Sequence, residues 1–255
     1  MILIDADILV YRIGWACNDE EEAIALKRMN SFIIDLLYMH LDTDEESDYT
    51  LYLTGKGNFR NDYAITATYK GNRADKPKPV HIQALRQHLI DKWDAVVTEN
   101  EEADDIIAIM ATTLGDDSTI VSLDKDFDQV QGWHYNFVKR NRYYCTAEEG
   151  LNFLYRQILM GDRIDNIIGI RGIGEVKSAK LLADCTTELE YYAKVVEIMG
   201  DEDRVIENAR LLYLRRTEGE IWQPPTTRGM EDAGQKHDSS PSSSQPCEAL
   251  MEDGA

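Results

Sequence analysis

The sequence predicts an α/β protein: a mostly parallel sheet flanked by helices, then a helical region, then a polar tail. Three observations carry this. From Ile2 to Leu123, short β-branched or apolar runs alternate with helical periodicity, the signature of βαβ units. After a hairpin that ends near Cys145 only the helical period remains, and from about Gln223 the composition shifts to Pro, Ser, Gly and acids.

The strand-like runs are Ile2–Ile4, Tyr49–Leu53, Ala95–Thr98 and Thr119–Leu123. Helical patterns lie between them at Ala23–Met39, Ile82–Trp93 and Ala103–Leu114. A hairpin over Tyr135–Cys145 turns at Lys139–Arg142. Helices then follow over Glu148–Met160, Glu175–Ala183, Thr187–Met199 and Asp203–Arg215, which puts a boundary near residue 147. Residues 223–255 hold too few apolar side chains to offset the entropy of ordering, so this segment reads as a disordered tail.

A chain of 255 residues with 43% hydrophobic and 29% charged residues can bury a core and is neither fibrous nor membrane-like. Asp5, Asp7 and Arg12 interrupt the N-terminal apolar run and no stretch approaches a membrane span, so a cytoplasmic protein without a membrane partner is expected. Cys17, Cys145, Cys185 and Cys247 lack the spacing of a metal site and read as reduced structural thiols. The net charge of −20 argues against a nucleic-acid partner, but charge is unevenly spread. Between Gly55 and Trp93, eight basic residues (Lys56, Arg60, Lys70, Arg73, Lys76, Lys78, Arg86 and Lys92) face only Asp62, Asp75 and Asp91. An acidic chain thus carries a basic stripe.

In open α/β sheets, ligands collect beyond the C-terminal ends of the strands. Three acidic groups fall there: Asp5 and Asp7; Glu99, Glu101, Glu102, Asp104 and Asp105; and Asp124, Asp126 and Asp128. Each has an ordinary explanation when taken alone. Acids in a first helical turn complement the macrodipole by about 0.3–1 kcal/mol each; Asp5 can cap its strand or form a salt bridge, and Asp124-Lys125-Asp126 can be a solvated turn. Brought together, such carboxylates cannot all stay ionised without cations. An oxygen-only donor set favours Mg²⁺ or Mn²⁺, so the expectation is a metal-binding rim. The scattered histidines read as ordinary surface or core residues.

A fourth acidic group, Gly161-Asp162-Arg163-Ile164-Asp165-Asn166, runs into Gly169–Lys177, where Gly172 and Gly174 flank Ile173. Such a turn points backbone N–H groups outward at a helix start. Lys177 and Lys180, at i,i+3, add positive charge, which together makes a phosphate grip that reads no sequence.

These blocks resemble the flap endonuclease superfamily of 5′-to-3′ nucleases, above all its compact bacteriophage exonuclease branch. The resemblance rests on Leu3-Ile4-Asp5-Ala6, Tyr69-Lys70-Gly71-Asn72-Arg73, Glu102-Ala103-Asp104-Asp105, Asp124-Lys125-Asp126-Phe127 and the Gly161–Lys177 region, in the family's order over residues 1–184. It implies a PIN-like nuclease domain over 1–147 with a short helical arch near 58–92, and an all-helical DNA-binding region over 148–222 with a helix-hairpin-helix (helix-3-turn-helix) at 161–183.

The resemblance also assigns roles. Asp5, Glu102, Asp104 and Asp124 would lie at or near a first metal ion and Asp126, Asp162 and Asp165 at a second, with Asp105 contributing to the shared cluster. Lys70 and Arg73 would contact the scissile phosphate, Gly172, Gly174, Lys177 and Lys180 would hold duplex DNA, and Tyr69 would stack on a base or sit in the core. The implied cofactors are two Mg²⁺ or Mn²⁺ ions, with K⁺ at the hairpin. One departure stands out: the family often has an Asp just after its second strand, where this chain reads Leu53-Thr54-Gly55-Lys56-Gly57, so that either this ligand is absent or water or Asp7 fills its place.

The implied activity is metal-dependent phosphodiester hydrolysis on DNA with 5′ ends, nicks or flaps, and on RNA in RNA–DNA hybrids, by a monomer in phage replication or recombination. Two readings compete. A PIN-like ribonuclease shares the acidic rim but lacks the 161–183 region; a catalytically weak DNA-binding protein on the same scaffold is supported by the missing Asp.

Overall fold

In the computed structural model, which describes residues 1–40, 48–73 and 76–226 (the side chains of 39 and 40 excepted), the sheet is built around the first strand. β1 (Ile2–Asp5) pairs in parallel with β2 (Tyr49–Lys56) on one side. Its other neighbour, also parallel, is the strand Thr119–Val121 (β4). β3 (Val96–Glu99) extends the β2 edge; β5 (Gly132–Asn136) extends β4, and antiparallel β6 (Asn141–Cys145) ends the order β3-β2-β1-β4-β5-β6. Chain order reverses between β1 and β4, which opens a crevice at their C-terminal ends.

Alternation along β1 sets the layers. Leu3 packs with Ile107, Ala108 and Ala111 of α4 (Ala103–Leu114). Ile4 packs with Leu9, Ile13, Met29, Leu85 and Leu89 of α1 (Ala6–Ala16), α2 (Glu22–Ile34) and α3 (Ile82–Trp93). Burial on both faces explains why β1, β4 and the middle of β2 read as continuous apolar runs, whereas Val96 and Val97 of the edge strand β3 are exposed. A separate cluster, including Leu154, Ile158, Tyr191 and Val205, joins α5 (Ala147–Met160), α7 (Glu188–Met199) and α8 (Glu202–Leu212), with α6 (Glu175–Leu181) at its side. All these elements belong to one compact unit, Met1–Pro224. Among the described residues no helix is long and apolar enough to cross a membrane.

Several elements differ from the sequence reading. Helix α1 was not anticipated, because its apolar residues continue those of β1. Asp5 starts it by accepting from the Ile8 N–H (3.4 Å), and Gly14 keeps it close to Pro79, whose Cβ would lie 2.7 Å from an added Cβ. The β5–β6 hairpin turns at residues 137–140 rather than Lys139–Arg142. Asn136 Oδ1 begins the turn early by accepting from the N–H groups of Val138 (3.1 Å) and Lys139 (2.9 Å).

The region after α5 is not purely helical: Gly161–Asp162 (β7) and Ile167–Ile168 (β8) form an antiparallel ribbon. A Cβ on Gly161 would meet Gly169 N at 2.3 Å, and one on Gly169 would meet the Met160 carbonyl carbon at 2.0 Å. Only glycines let these backbones touch. Residues 161–183, where a helix-hairpin-helix was expected, therefore contain one helix, α6, preceded by the ribbon and not by a second helix. Of the arch expected near 58–92, the described part holds two 3₁₀ turns, Phe59–Asp62 and Gly71–Arg73, while α3 is packed into the core. Residues 74–75, and the expected tail beyond 226 with Cys247, lie outside the described residues.

Candidate active site

Three strand ends and the ribbon carry acids to the crevice. Asp5, 2% exposed, ends β1 and accepts from Ser122 Oγ (2.8 Å). Glu102 caps α4 in a capping box with Asp105, and Asp104 lies in the same first turn. Asp124, beyond β4, caps the 3₁₀ turn Lys125–Gln129 by accepting from the Asp126 N–H (3.0 Å). Asp126 accepts from Gln157 Nε2 (2.6 Å). Asp162 opens the ribbon loop and accepts from the N–H groups of Ile164 (2.5 Å) and Asp165 (3.2 Å).

Burial and mutual repulsion act on these groups together. Burial, followed by the charges of Asp7 and Asp124, pushes Asp5 up to about 7. Burial and the neighbouring Asp5, Glu102 and Asp124 hold Asp104 well above the usual carboxylate range; among the described residues it forms no hydrogen bond or ion pair. Burial, Asp124, Asp162 and Asp165 push Asp126 up to about 7. Since Asp124 acts on both Asp104 and Asp126, it links one group (Asp5, Glu102, Asp104) to another (Asp126, Asp162, Asp165).

Lys70 and Arg73 reach the same crevice. Lys70 Nζ pairs with Glu102 Oε1 and stands 3.6 Å from Asp165 Oδ2. Arg73 pairs with Asp165 and donates Nε to Ile164 O (3.1 Å). Lys70 takes a left-handed φ of +53°, held by its N–H donating to Asp165 O (2.8 Å). Burial favours the neutral form of Glu102, but the Lys70 and Arg60 charges outweigh it and hold the carboxyl below its usual range.

Other expected site residues are placed differently. Tyr69 is buried and its hydroxyl bridges Glu102 Oε2 (2.8 Å) and Asp165 Oδ2 (3.0 Å), so it is a core residue supporting the carboxylates and not a base-stacking one. Asp105 is fully buried with its two oxygens held by Arg60 (2.5 and 2.9 Å), which removes it from the expected metal cluster. Asp7 is bound by Arg86 (2.7 Å) and the Thr54 N–H (2.8 Å), so it cannot substitute for the missing carboxylate. Asp128 faces Tyr143 OH (2.7 Å). The basic stripe is correspondingly reduced, because Arg60, Lys70, Arg73 and Arg86 all hold internal acids.

The departure after β2 has a local cause. Thr54 Oγ1 accepts from the Ala103 N–H (3.0 Å) at the start of α4, and a Cβ on Gly55 would sit 1.8 Å from Thr98 O. The close approach of β2 to β3 excludes any side chain at 55. On the other flank, Gly172 (φ +83°), Gly174, Lys177 and Lys180 are exposed around α6. Lys125, exposed beside the acids, pairs with Glu175 at the start of α6 (3.3 Å).

Among the described residues no three carboxylate, imidazole or thiolate groups close on one point as a ready-made metal cage. The electrostatics nonetheless show crowding that calls for cations. The two findings agree if the ions keep several waters, as Mg²⁺ does when held by few carboxylates. The unpaired Asp104, the raised Asp5 and Asp126, and a donor set of oxygens alone fit hard divalent ions.

Sequence reasoning missed Ser122, Gln157 and the structural role of Arg60. No spacing signal marks them, because their acidic partners are distant in the chain. Arg60 also donates to Leu211 O and Tyr213 O (2.9 Å each). Arg60→Leu would leave the buried Asp105 charge without its counter-ion, with only the Glu102 and Arg215 N–H groups still donating to it, and a loss of about 3–5 kcal/mol is expected in urea unfolding; a loss below about 1 kcal/mol would contradict that role.

Comparison with known proteins agrees with this geometry. Residues 1–152 match the family described as 5′-3′ exonuclease, N-terminal resolvase-like domain. DNA polymerase I of Bacillus caldotenax is 27% identical over 229 residues, covering 79% of this chain and 25% of the polymerase, so the chain spans only about a quarter of that relative. Flap endonuclease Xni of Shewanella loihica is 29% identical over 227 residues, covering 83% of this chain and 86% of that protein. Among solved structures, bacteriophage T5 5′-exonuclease with divalent zinc bound aligns with a TM-score of 0.60 at 19% identity, covering 83% of this chain and 88% of that one. T5 flap endonuclease in a pseudo-enzyme-product complex with DNA and metal ions has the same TM-score and identity, over 84% and 88% of the two chains. On a match spanning more than half its length, the chain belongs to the 5′-3′ exonuclease family with the N-terminal resolvase-like domain.

Proposed function

We propose that this protein is a divalent-metal-dependent, structure-specific 5′-to-3′ nuclease that hydrolyses phosphodiester bonds of DNA at 5′ ends, nicks and flaps. The observation that carries the reading is Asp104, a carboxylate with no hydrogen-bond or ion-pair partner among the described residues, which shares its crevice with Asp5, Glu102 and Asp124. Asp5, Glu102, Asp104 and Asp124 would lie at or near one ion, and Asp126, Asp162 and Asp165 at or near a second, with bound waters completing each shell. Bound there, Mg²⁺ or Mn²⁺ would activate water and stabilise the leaving oxygen.

The chain's own residues supply position and charge. Lys70 and Arg73, paired with Glu102 and Asp165 among the acids, place two cations where they would meet the negative charge that develops on a phosphate. Gly172, Gly174, Lys177 and Lys180 offer exposed backbone and two ammonium groups to a duplex backbone, which fixes register without reading bases. In the same reading the chain acts as a monomer, takes RNA of RNA–DNA hybrids as a further substrate, and holds K⁺ at the turn before α6. Family membership and the flap-endonuclease relative support a nuclease over a binding module.

End-labelled flap, nicked, blunt and hybrid substrates, each with Mg²⁺ or EDTA, test the proposal. Cleavage is expected with Mg²⁺ alone, on flaps and 5′ ends, and with affinity falling steeply as salt rises. Tight flap binding with no cleavage in Mg²⁺ or Mn²⁺ would leave the binding-module reading in its place.

A further inference from the structure

We infer that α8 is a two-sided clamp that sets the distance between the basic segment Thr68–Arg73 and the acidic ribbon, with Glu207 as its positioning residue on the basic side. This rests on the nuclease reading of the crevice, because it concerns how that site is assembled.

Glu207 is 6% exposed, yet its carboxylate is directed at a neighbouring loop and not at solvent. Oε1 accepts from the N–H groups of Ile65 (2.8 Å) and Thr66 (2.6 Å), and Oε2 accepts from Thr66 Oγ1 (2.5 Å). Three donors on two adjacent residues fix that loop in position and orientation. Arg204, whose buried Nε has no hydrogen-bond partner among the described residues, lies 4.0 Å from Glu207 Oε2 and balances its charge.

The next residue of α8 faces the other half of the site. Asn208, 2% exposed, sends Nδ2 to Ile158 O and Ile168 O (3.1 Å each), and Arg204 adds a bond to Ile168 O (2.7 Å). Consecutive helical residues point about 100° apart, so Glu207 and Asn208 hold two different partners from one rigid element. One is the base of the basic segment. The other is β8, the return strand of the ribbon that carries Asp162 and Asp165.

Between these two anchors the halves meet. Lys70 N–H donates to Asp165 O (2.8 Å), Asn72 Nδ2 to Arg163 O (2.6 Å) and Asn166 Nδ2 to Thr68 O (2.9 Å). Ala67, Thr68 and Tyr69 alone separate the pinned Thr66 from Lys70, and Asn166 and Ile167 alone separate Asp165 from the pinned Ile168. At no more than about 3.6 Å per residue, such short tethers pass any shift of an anchor on to the reacting groups. A misplacement near 1 Å costs on the order of 10²-fold in rate.

The test compares Glu207→Ala, Glu207→Gln and the exposed-site variant Thr66→Val, which keeps the clamp testable if Glu207→Ala folds poorly. Single-turnover cleavage of a 5′-flap duplex in saturating Mg²⁺ is expected to fall on the order of 10²-fold for Glu207→Ala and more mildly for Thr66→Val. Glu207→Gln, which keeps an oxygen facing both N–H groups, restores most of the rate. Flap affinity measured in EDTA stays unchanged, and deuterium uptake rises over residues 65–73 without global loosening. Wild-type rates for Glu207→Ala despite raised uptake over 65–73 would overturn the clamp, as would equal losses of affinity and rate. A wild-type chain that fails to cleave in Mg²⁺ would instead remove the nuclease reading.

Discussion

Asp104→Asn is expected to abolish cleavage and, in the same molecule, to raise the melting temperature of the metal-free protein. Asp104 accepts no hydrogen bond among the described residues, and its carboxyl is held well above the usual range by burial and by Asp5, Glu102 and Asp124. Asparagine keeps the size and removes the charge, so the folded state loses repulsion and no bonded partner is stranded. One kcal/mol of relief corresponds to about 2–4 °C in a chain of this size. The cost appears in catalysis: a ligand that stabilises transition-state charge through a metal is worth several kcal/mol, or about 10³-fold in rate. Thermal melts in EDTA near pH 8, with single-turnover cleavage in Mg²⁺ on the same preparation, check both signs. A variant that melts lower while cleaving normally would show that Asp104 is a structural residue.

How much of the architecture could be read in advance depends on what makes each element form. Helices α3 and α4 are found at the expected Ile82–Trp93 and Ala103–Leu114, because an apolar stripe at helical spacing is a local property of the chain. The inner parallel strands β1 and β4 are similarly legible from runs that must be apolar on both faces. The β7–β8 ribbon was not, since its strands are two residues long and exist because Gly161 and Gly169 permit backbone contact that no hydropathy pattern records. The early hairpin turn likewise depends on one side chain, Asn136, bonding its own backbone.

For the site, position was more legible than partnership. Acids placed after strands predict a crowded rim, and the fold carries Asp5, Asp104 and Asp124 to one crevice because β1 and β4 are neighbours and α4, which carries Asp104 in its first turn, packs on β1. Which carboxylates remain free is decided by tertiary contacts. Asp105 and Arg60 are separated by 45 positions and form a buried pair, so a residue counted in the basic stripe neutralises one counted toward metal. Tyr69 shows the same limit: its neighbours Lys70 and Arg73 face the crevice, while its own ring is packed into the helical core.

Stability of the metal-free protein is expected to fall as pH rises from about 4 to about 7, and divalent ions are expected to restore it only at the upper end. Asp5 and Asp126 each stand at about 7 in the folded chain against 3.8 for an unperturbed aspartate. Across that window the folded state therefore holds protons that the unfolded chain has released. The stabilisation from those protons is complete below the unfolded value and is lost as pH climbs through the folded one. At about 1.4 kcal/mol per unit, and with the groups sharing one field, the total is on the order of a few kcal/mol, or roughly 5–10 °C. Relief of the whole chain's net −20 charge on acidification acts in the same direction, so the pH profile alone does not isolate the crevice. Mg²⁺ does isolate it: near pH 8 millimolar ion should raise the melting temperature by most of the lost interval, and near pH 5, where protons already neutralise the acids, it should add little. Asp104→Asn should shrink the Mg²⁺ response at pH 8. An equal Mg²⁺ shift at both pH values would mean that the ion acts on the general surface charge and not on these carboxylates.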